Sequence, residues 1–389
     1  MTKRILMRAG KSPFDVVSPE ATYGRNLLGG NIGNLLFSHA AHRALETIDA
    51  EVVAGGLRWR KRQASRINRD FDVFVVPLAN AFRLSFEKEL KALTAMISRL
   101  TIPVVVLGVG AQGSHKQGAA ALAPMRKSVE AFVGAVLDRS ASIGVRGEFT
   151  AEYLTGLGFK DVEIIGCPSM FMYGSRMQVA KRVPELDTAS HIAINISPYR
   201  KRMGTVLQRH MAQYPHLTYV AQDHATLGRL LKGDSRFVRR EVIDSTVPLH
   251  TSHAVFLEDK VRTFIDVAPW LGFMAEQDFS FGTRIHGNMA ALIAGTPAFV
   301  FTHDWRTLEL ARYFEIPHSR MRDIKMINAG RLHATADYQP LNAGHTARFA
   351  AYCRFLERNG LDHIWSSGEE RTTFDKRLAA IDFPPVPGG

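Results

Sequence analysis

Two stretches leave this chain little choice of fold. Residues 72–77 (DVFVVP) and 103–108 (PVVVLG) are apolar almost without interruption and too short to be buried helices. A strand that is apolar on both sides needs cover on both sides, which is the situation of a parallel sheet flanked by helices. The same alternation runs along the chain. Strands are expected at 5–7, 143–145 and 162–165, and helices at 34–47, 86–100, 125–138 and 150–157, the last closed by Gly158. A polar stretch at 181–190, containing Pro184, reads as a linker, after which the pattern restarts. Strands follow at 192–196, 218–221 and 298–301, and helices at 204–214, 226–231, 269–276 and 305–314, with Asp304 placed to cap the last. Residues 236–242 are a weaker stretch, and 261–267 read as a helical turn. A helix at 343–359 can end at Gly360, and DFPPVPGG reads as a loose end. The expected class is α/β: two Rossmann-like doubly wound domains facing a cleft, at 1–180 and 190–320, followed by a helical tail at 321–389.

A length of 389 residues suits two domains, and 46% hydrophobic with 22% charged residues is ordinary for a soluble protein. Two cysteines, Cys167 and Cys353, give neither a disulfide framework nor metal spacing, which points to a reducing compartment. The N-terminus lacks the apolar core of a signal peptide, and no run is long enough to span a bilayer. The expected location is cytoplasmic.

The net charge of +12 calls for an anionic partner: nucleic acid, a membrane surface or small phosphorylated substrates. The densest basic run is Arg58, Arg60, Lys61, Arg62, Arg66 and Arg69, with Trp59 inside it; Arg200, Lys201 and Arg202 form a smaller cluster. The run reads either as a solvated helix face or as a face resting on anionic lipid at the inner membrane surface, with Trp59 at the interface. No zinc finger, RNA-recognition signature or heptad zipper is present, so no nucleic-acid partner is expected.

Ligands of doubly wound sheets bind beyond the carboxyl ends of the strands. That rule selects Asn80, 108–112, Arg146, Ser169, Ser197, Gln222, Arg284 and His286. The richest segment is 278–297, DFSFGTRIHGNMAALIAGTP. It reads as a strand at 278–285, a turn, and a helix at 288–294 that Gly295 and Pro297 stop. In an extended segment Arg284 and His286, two apart, share a face. The helix N-terminus, with Gly287 and Asn288, aims N–H groups at the same spot. A fixed cation, an imidazole and a helix N-terminus suit an anionic substrate that needs proton transfer; the plain alternative is a basic βα turn.

Other segments are less specific. LGVGAQG at 107–113, with Gln112, lacks both the P-loop lysine and the dinucleotide fingerprint. GRNLLGGNIGN at 24–34 reads as an anion- or sugar-binding loop, or as a turn in which Asn31 and Asn34 only cap the next helix. Arg146, in SIGVRGEFT, leaves a buried-looking strand end before a helix that Thr150 is placed to cap. Cys167, in GCPS, reads as a packing residue without a partner. The remaining histidines, His115 among them, show no metal spacing, so no metal site is expected.

Three stretches together resemble the polysaccharide pyruvyl transferase family: NIGNLLFSHAA, SIGVRGEFTAEYLTGLGFKDVEIIGCPSM and DFSFGTRIHGNMAALIAGTPAFVFTHDWRTLELARYFEIP. The resemblance covers roughly 25–320. It implies a fold similar to the GT-B class and transfer of pyruvate from phosphoenolpyruvate onto two hydroxyls of a sugar, with no further cofactor. By position it implies that Arg146, Arg284 and His286 are donor-site residues. Gly287, Asn288, Asn31, Asn34, Gln112 and Ser197 are expected to bind substrate. The family often has Asp where this chain has Asn34, so an acidic role of that loop is not carried over. The implied partners are phosphoenolpyruvate and a carbohydrate acceptor, lipid-linked or nucleotide-linked; a lipid-linked acceptor would give the basic face a purpose. Two other readings fit the same fold. One is a GT-B glycosyltransferase using a nucleotide sugar, for which Glu309 is the available ribose acid, though as a helix-face residue it reads as surface. The other is a non-catalytic glycan-binding protein.

Overall fold

The computed structural model describes residues 2–113, 118–197, 201–233, 246–323, 326–366 and 373–388. Every strand pairing it contains within the two sheets is parallel. The first sheet is built from β1 (Lys3–Met7), β2 (Ala50–Ala54), β3 (Val73–Pro77), β4 (Val104–Leu107), β5 (Ile143–Val145) and β6 (Val162–Ile164). A parallel bridge between Val109 and Val145 joins β4 to β5, so the order is β2-β1-β3-β4-β5-β6. The second sheet contains β7 (Ile192–Asn195), β8 (Leu217–Ala221), β9 (Val261–Thr263), β10 (Phe279–Gly282), β11 (Ala298–Thr302) and β12 (His318–Arg320), in the order β12-β11-β10-β7-β8-β9.

The apolar runs behave as their composition requires. Every residue of β3 and β4 is buried. Val73 and Val75 enter one core and Phe74 and Val76 the other, because successive side chains leave a strand on opposite faces. In each sheet the winding reverses once, between β1 and β3 in the first and between β7 and β10 in the second. At such a reversal the loops leaving the two strands diverge and open a crevice at their carboxyl ends.

The tail is more than an appendage of the second half. The helix Gln339–Arg358 and the residues beyond it return to the first half. Tyr352 stacks on Phe171 with ring centroids 5.0 Å apart, and the Asn359 amide exchanges hydrogen bonds with Ser142 at 3.1 and 3.2 Å. Arg43 grips Asp375 through Nε and Nη2 at 2.8 and 2.6 Å. The expected loose end is tied as well: Thr263 N–H donates to the Pro387 carbonyl at 3.1 Å.

Two further readings are corrected, and one strand was not expected. Residues 261–263 form β9 rather than a helical turn; Val261 and Thr263 are β-branched, and pairing with β8 holds so short a strand. The strand β2 had no sequence signal strong enough to place it. Trp59 does not face outward. It is 6% exposed and packs on Phe74 at 4.8 Å, so the basic face carries no aromatic anchor, although Arg58, Arg60, Lys61, Arg62, Arg66 and Arg69 are exposed. The stretch 236–242, Arg200 and His115 lie outside the described residues.

Candidate functional site

The strand β10 ends at Gly282, whose φ is +148°. A Cβ there would lie 2.0 Å from the Asn195 carbonyl oxygen, which instead accepts from the N–H groups of Thr283 and Arg284 at 2.8 and 3.1 Å. This close crossing of β7 and β10 starts the next helix, Ile285–Ile293, three residues earlier than expected. Arg284 is therefore its N-cap residue and His286 its second residue. The two reach the cleft as helix-start neighbours, not through strand alternation.

Behind them runs a buried amide network. Gln222 Nε2 donates to Asn195 Oδ1 at 2.9 Å, and Asn195 Nδ2 donates to Ser280 Oγ at 2.8 Å. Ser280 Oγ donates to Asn288 Oδ1 at 2.9 Å, and Asn288 Nδ2 donates to the Arg284 carbonyl at 3.0 Å. Gly287 lies directly on this network, since a Cβ would come within 2.0 Å of Asn195 Oδ1. A satisfied buried network of this kind fixes geometry. Gly287 and Asn288 thus hold the helix start in place from behind.

The first half closes over His286 from the other side. The 24–34 loop is clasped to the end of β8, with Ile32 N–H donating to the Gln222 carbonyl at 3.0 Å and His224 N–H to the Gly30 carbonyl at 3.1 Å. Asn31 Oδ1 accepts from Gly33 N–H at 2.8 Å, and Asn34 Nδ2 donates to the carbonyls of Leu28 and Gly29 at 2.9 and 3.1 Å. A Cβ on Gly33 would lie 2.7 Å from His286 Nδ1. The other ring edge places Nε2 3.8 Å from Cys167 Sγ, and Phe37 packs on the ring at 5.8 Å. Cys167, read from sequence as lacking a partner, therefore has His286 and also Ser169, whose Oγ is 3.1 Å away. Burial pushes the thiol pKa up, which favours the protonated thiol beside the ring.

His286 lies well below its ordinary pKa, first because it is buried and then because Arg146, Arg306 and Arg284 surround it. This setting holds it as a neutral imidazole. Arg146 is 1% exposed, and burial lowers its pKa to about 10. Its Nε and Nη2 donate to the Gly108 carbonyl, both at 3.3 Å, while Nη1 has no hydrogen-bond partner among the described residues. Glu309 also differs from expectation. It is 4% exposed and reaches across from the second half to accept from Thr150 N–H at 3.0 Å and Thr150 Oγ at 2.9 Å. It caps the helix Glu148–Gly156, the role expected of Thr150, and Phe149 stacks on Trp305 beside it at 5.0 Å. Desolvation raises the Glu309 pKa to about 7. This carboxylate is a latch between the halves rather than a surface group or a ribose ligand.

Between the halves lies a cavity of about 990 Å³. Among the described residues its wall carries Arg8, Arg25, Arg58, Arg83, Arg284 and Arg306 against a single carboxylate, Glu89. Of the residues expected from sequence, Arg284, His286, Asn31 and Asn34 reach this wall, with Asn80 and Gln222. Arg146, Gln112, Ser197, Gly287 and Asn288 are not on it. Gln112 accepts from Asn80 Nδ2 at 2.8 Å, and the Ser197 N–H donates to Thr283 Oγ at 2.8 Å. Sequence reasoning missed Arg8, Arg83 and Arg306. The strand-end rule could have found Arg8, the residue after β1.

The family model for polysaccharide pyruvyl transferases matches residues 31–304, more than half of the chain. The chain belongs to the polysaccharide pyruvyl transferase family. Both arms of the cleft, including the 31–34 loop, Arg146, Arg284 and His286, fall within the matched region. Among solved structures it is similar to UDP-GlcNAc 2-epimerase from Methanocaldococcus jannaschii in complex with UDP-GlcNAc and UDP, at 10% identity over 92% of this chain and 99% of that one, with a TM-score of 0.51. Another UDP-N-acetylglucosamine 2-epimerase is 13% identical over 99% of both chains with a TM-score of 0.47. The glycosyltransferase SnogD from Streptomyces nogalater is 12% identical over 92% and 96%, with a TM-score of 0.36. At these identities the likeness concerns fold alone: α/β, two Rossmann-like parallel sheets in a GT-B-like arrangement. No curated protein matches the sequence. No helix among the described residues is long and apolar enough to cross a membrane.

Proposed function

We propose that this transferase-family protein moves pyruvate from phosphoenolpyruvate onto two hydroxyls of one sugar in a polysaccharide or its lipid- or nucleotide-linked precursor, forming a cyclic ketal and releasing phosphate. The observation that carries the reading is the setting of His286. A nearly buried imidazole stands at the β7/β10 reversal with Arg284 and Arg306 on the cleft wall and Arg146 behind. Phosphoenolpyruvate carries a carboxylate and a phosphate, each suited to charge-assisted bonds from a guanidinium.

The chemistry assigns a task to each group. C3 of the enol phosphate takes a proton, leaving C2 electron-poor and stabilised by the phosphate ester oxygen. One sugar hydroxyl adds to C2 and loses its proton. The bond from C2 to the phosphate oxygen then breaks, and phosphate leaves with the electron pair. The second hydroxyl adds to C2 and loses its proton, closing the ring. His286 is the proton carrier at C3 and at the attacking hydroxyl. A bound anion offsets the guanidinium charge that depresses His286, so donor binding itself prepares the imidazole to carry a proton. Arg284 and Arg306 bind the donor and stabilise the departing phosphate. Arg146, off the wall, contributes its field and holds the Gly108 turn. Asn31 and Asn34 border the acceptor, and the exposed Arg58–Arg69 face is assigned to contact with an anionic membrane.

The test is phosphate release from phosphoenolpyruvate across a panel of saccharide acceptors. Release that depends on an acceptor and disappears in folded Arg284→Ala and His286→Ala proteins is expected. Release that persists in both variants would refute the assignment.

A further inference from the structure

The cleft has two reversal points, and the donor uses one of them. The other lies at the carboxyl end of β1 and β3, on the wall contributed by the first half. Arg8 is the residue immediately after β1, and Arg83 sits on the loop that follows β3. Both line the cavity and both lie over the Phe86 ring, at 5.9 and 5.6 Å from its centroid. The Arg8 guanidinium makes only a long hydrogen bond among the described residues, 3.5 Å from Nη1 to the Pro77 carbonyl. Arg83 Nε is buried without a hydrogen-bond partner among the described residues. The nearby counter-charge is slight: Glu89 is the wall carboxylate, and Asp304, at 3.4 Å, is taken up by Arg306.

Resting on the donor assignment above, we infer that Arg8 and Arg83 form a second anion subsite, which holds a phosphoryl group carried by the sugar acceptor. Each guanidinium is held over the Phe86 ring and lines the cavity, and a guanidinium offers paired donors to phosphate oxygens. Both are held below the ordinary arginine pKa by desolvation, Arg8 at about 10, and Arg306 from the facing half lowers Arg83 further. An anion between them relieves that cost. The cavity of about 990 Å³ has room for an acceptor beside the small donor. The subsite therefore selects a phosphorylated or diphosphate-linked sugar over a neutral glycan end.

The experiment is calorimetric titration of inorganic pyrophosphate into protein saturated with phosphoenolpyruvate, with inorganic phosphate run alongside. Pyrophosphate is expected to bind without displacing the donor. Its affinity should fall at least tenfold in Arg8→Gln and in Arg83→Gln, while donor affinity stays within about threefold. Arg83 stands on the wall and not in the core, so its variant tests the inference even if Arg8→Gln folds poorly. Competition between pyrophosphate and phosphoenolpyruvate would overturn the inference, because it would mean one anion site. Failure of both pyrophosphate and phosphate to bind the donor-saturated protein would overturn it too. If phosphoenolpyruvate fails to bind at all, the donor assignment falls. Pyrophosphate binding to the unliganded protein, lost in Arg83→Gln and kept in Arg284→Ala, would still establish the subsite.

Discussion

Gly33→Ala sets two effects of opposite sign against each other. Gly33 is the first residue of the helix Gly33–Leu45, where propensity alone favours alanine by up to about 1 kcal/mol. The structure gives the opposite sign. The added Cβ would sit 2.7 Å from His286 Nδ1, 2.8 Å from its Cγ and 2.9 Å from Asn31 Oδ1. Ordinary carbon contacts lie near 3.5–4.0 Å, so the imidazole must retreat by roughly 1 Å. Retreat is opposed by Phe37 at 5.8 Å and by Cys167, whose Sγ is already 3.8 Å from Nε2. Overpacking of this kind costs about 1–3 kcal/mol, which exceeds the propensity gain. A catalytic group displaced by about 1 Å loses on the order of 10²-fold in rate. Urea denaturation is the first assay, and acceptor-dependent phosphate release the second. A lower midpoint with unchanged slope, and a turnover loss much larger than any change in donor affinity, are expected. A midpoint equal to or above that of the parent protein, with full activity, would show that the loop does not press on His286.

Other outcomes follow from the same geometry. Binding of phosphoenolpyruvate should take up a proton, because burial and the surrounding arginines hold His286 well below 6.5 and a bound anion raises it; calorimetry in buffers of different ionisation heat should show the uptake, and His286→Asn should abolish it. Donor affinity should accordingly rise as pH falls through the interval between the free and bound values. Glu309 has its folded pKa raised from 4.5 to about 7, so its protonated form is favoured on folding; that contribution is complete below 4.5 and is lost as pH rises through 7. Glu309→Gln should therefore flatten the decline in stability between pH 5 and pH 8, by an amount on the order of 3 kcal/mol; parallel pH profiles for the two proteins would count against the latch. Anionic vesicles should sediment the protein and neutral ones should not, and reversing Arg60, Lys61 and Arg62 to Glu should release it; equal binding to both vesicle types would show that the basic face does not hold the protein to anionic lipid.

Much of the architecture was legible because strands buried on both faces announce themselves. DVFVVP and PVVVLG are β3 and β4, and the linker before residue 192 separates the two sheets. What failed was local. Residues 261–263 owe their strand to a neighbour, and Trp59 could be assigned a face only once the turn at Gly55 was seen to press against its ring. The pairing of Arg284 with His286 was readable, but the reason they meet was not. Gly282, with its left-handed φ, ends β10 early and makes Arg284 a cap. Arg8, Arg83 and Arg306 were hidden for another reason. A cleft between two halves gathers residues nearly three hundred positions apart, and single arginines in a chain of net charge +12 carry no mark of which of them face inward. Glu309 was opaque in the same way, since its partner Thr150 lies in the other half.

The central claim is that the turn at Arg284 and His286 binds phosphoenolpyruvate. Calorimetric titration of phosphoenolpyruvate into the parent protein and into Arg284→Ala tests it most directly. One site per chain is expected in the parent, and at least a tenfold loss of affinity in a variant that melts like the parent. Absence of binding in the parent, or equal affinity in the folded variant, would contradict it.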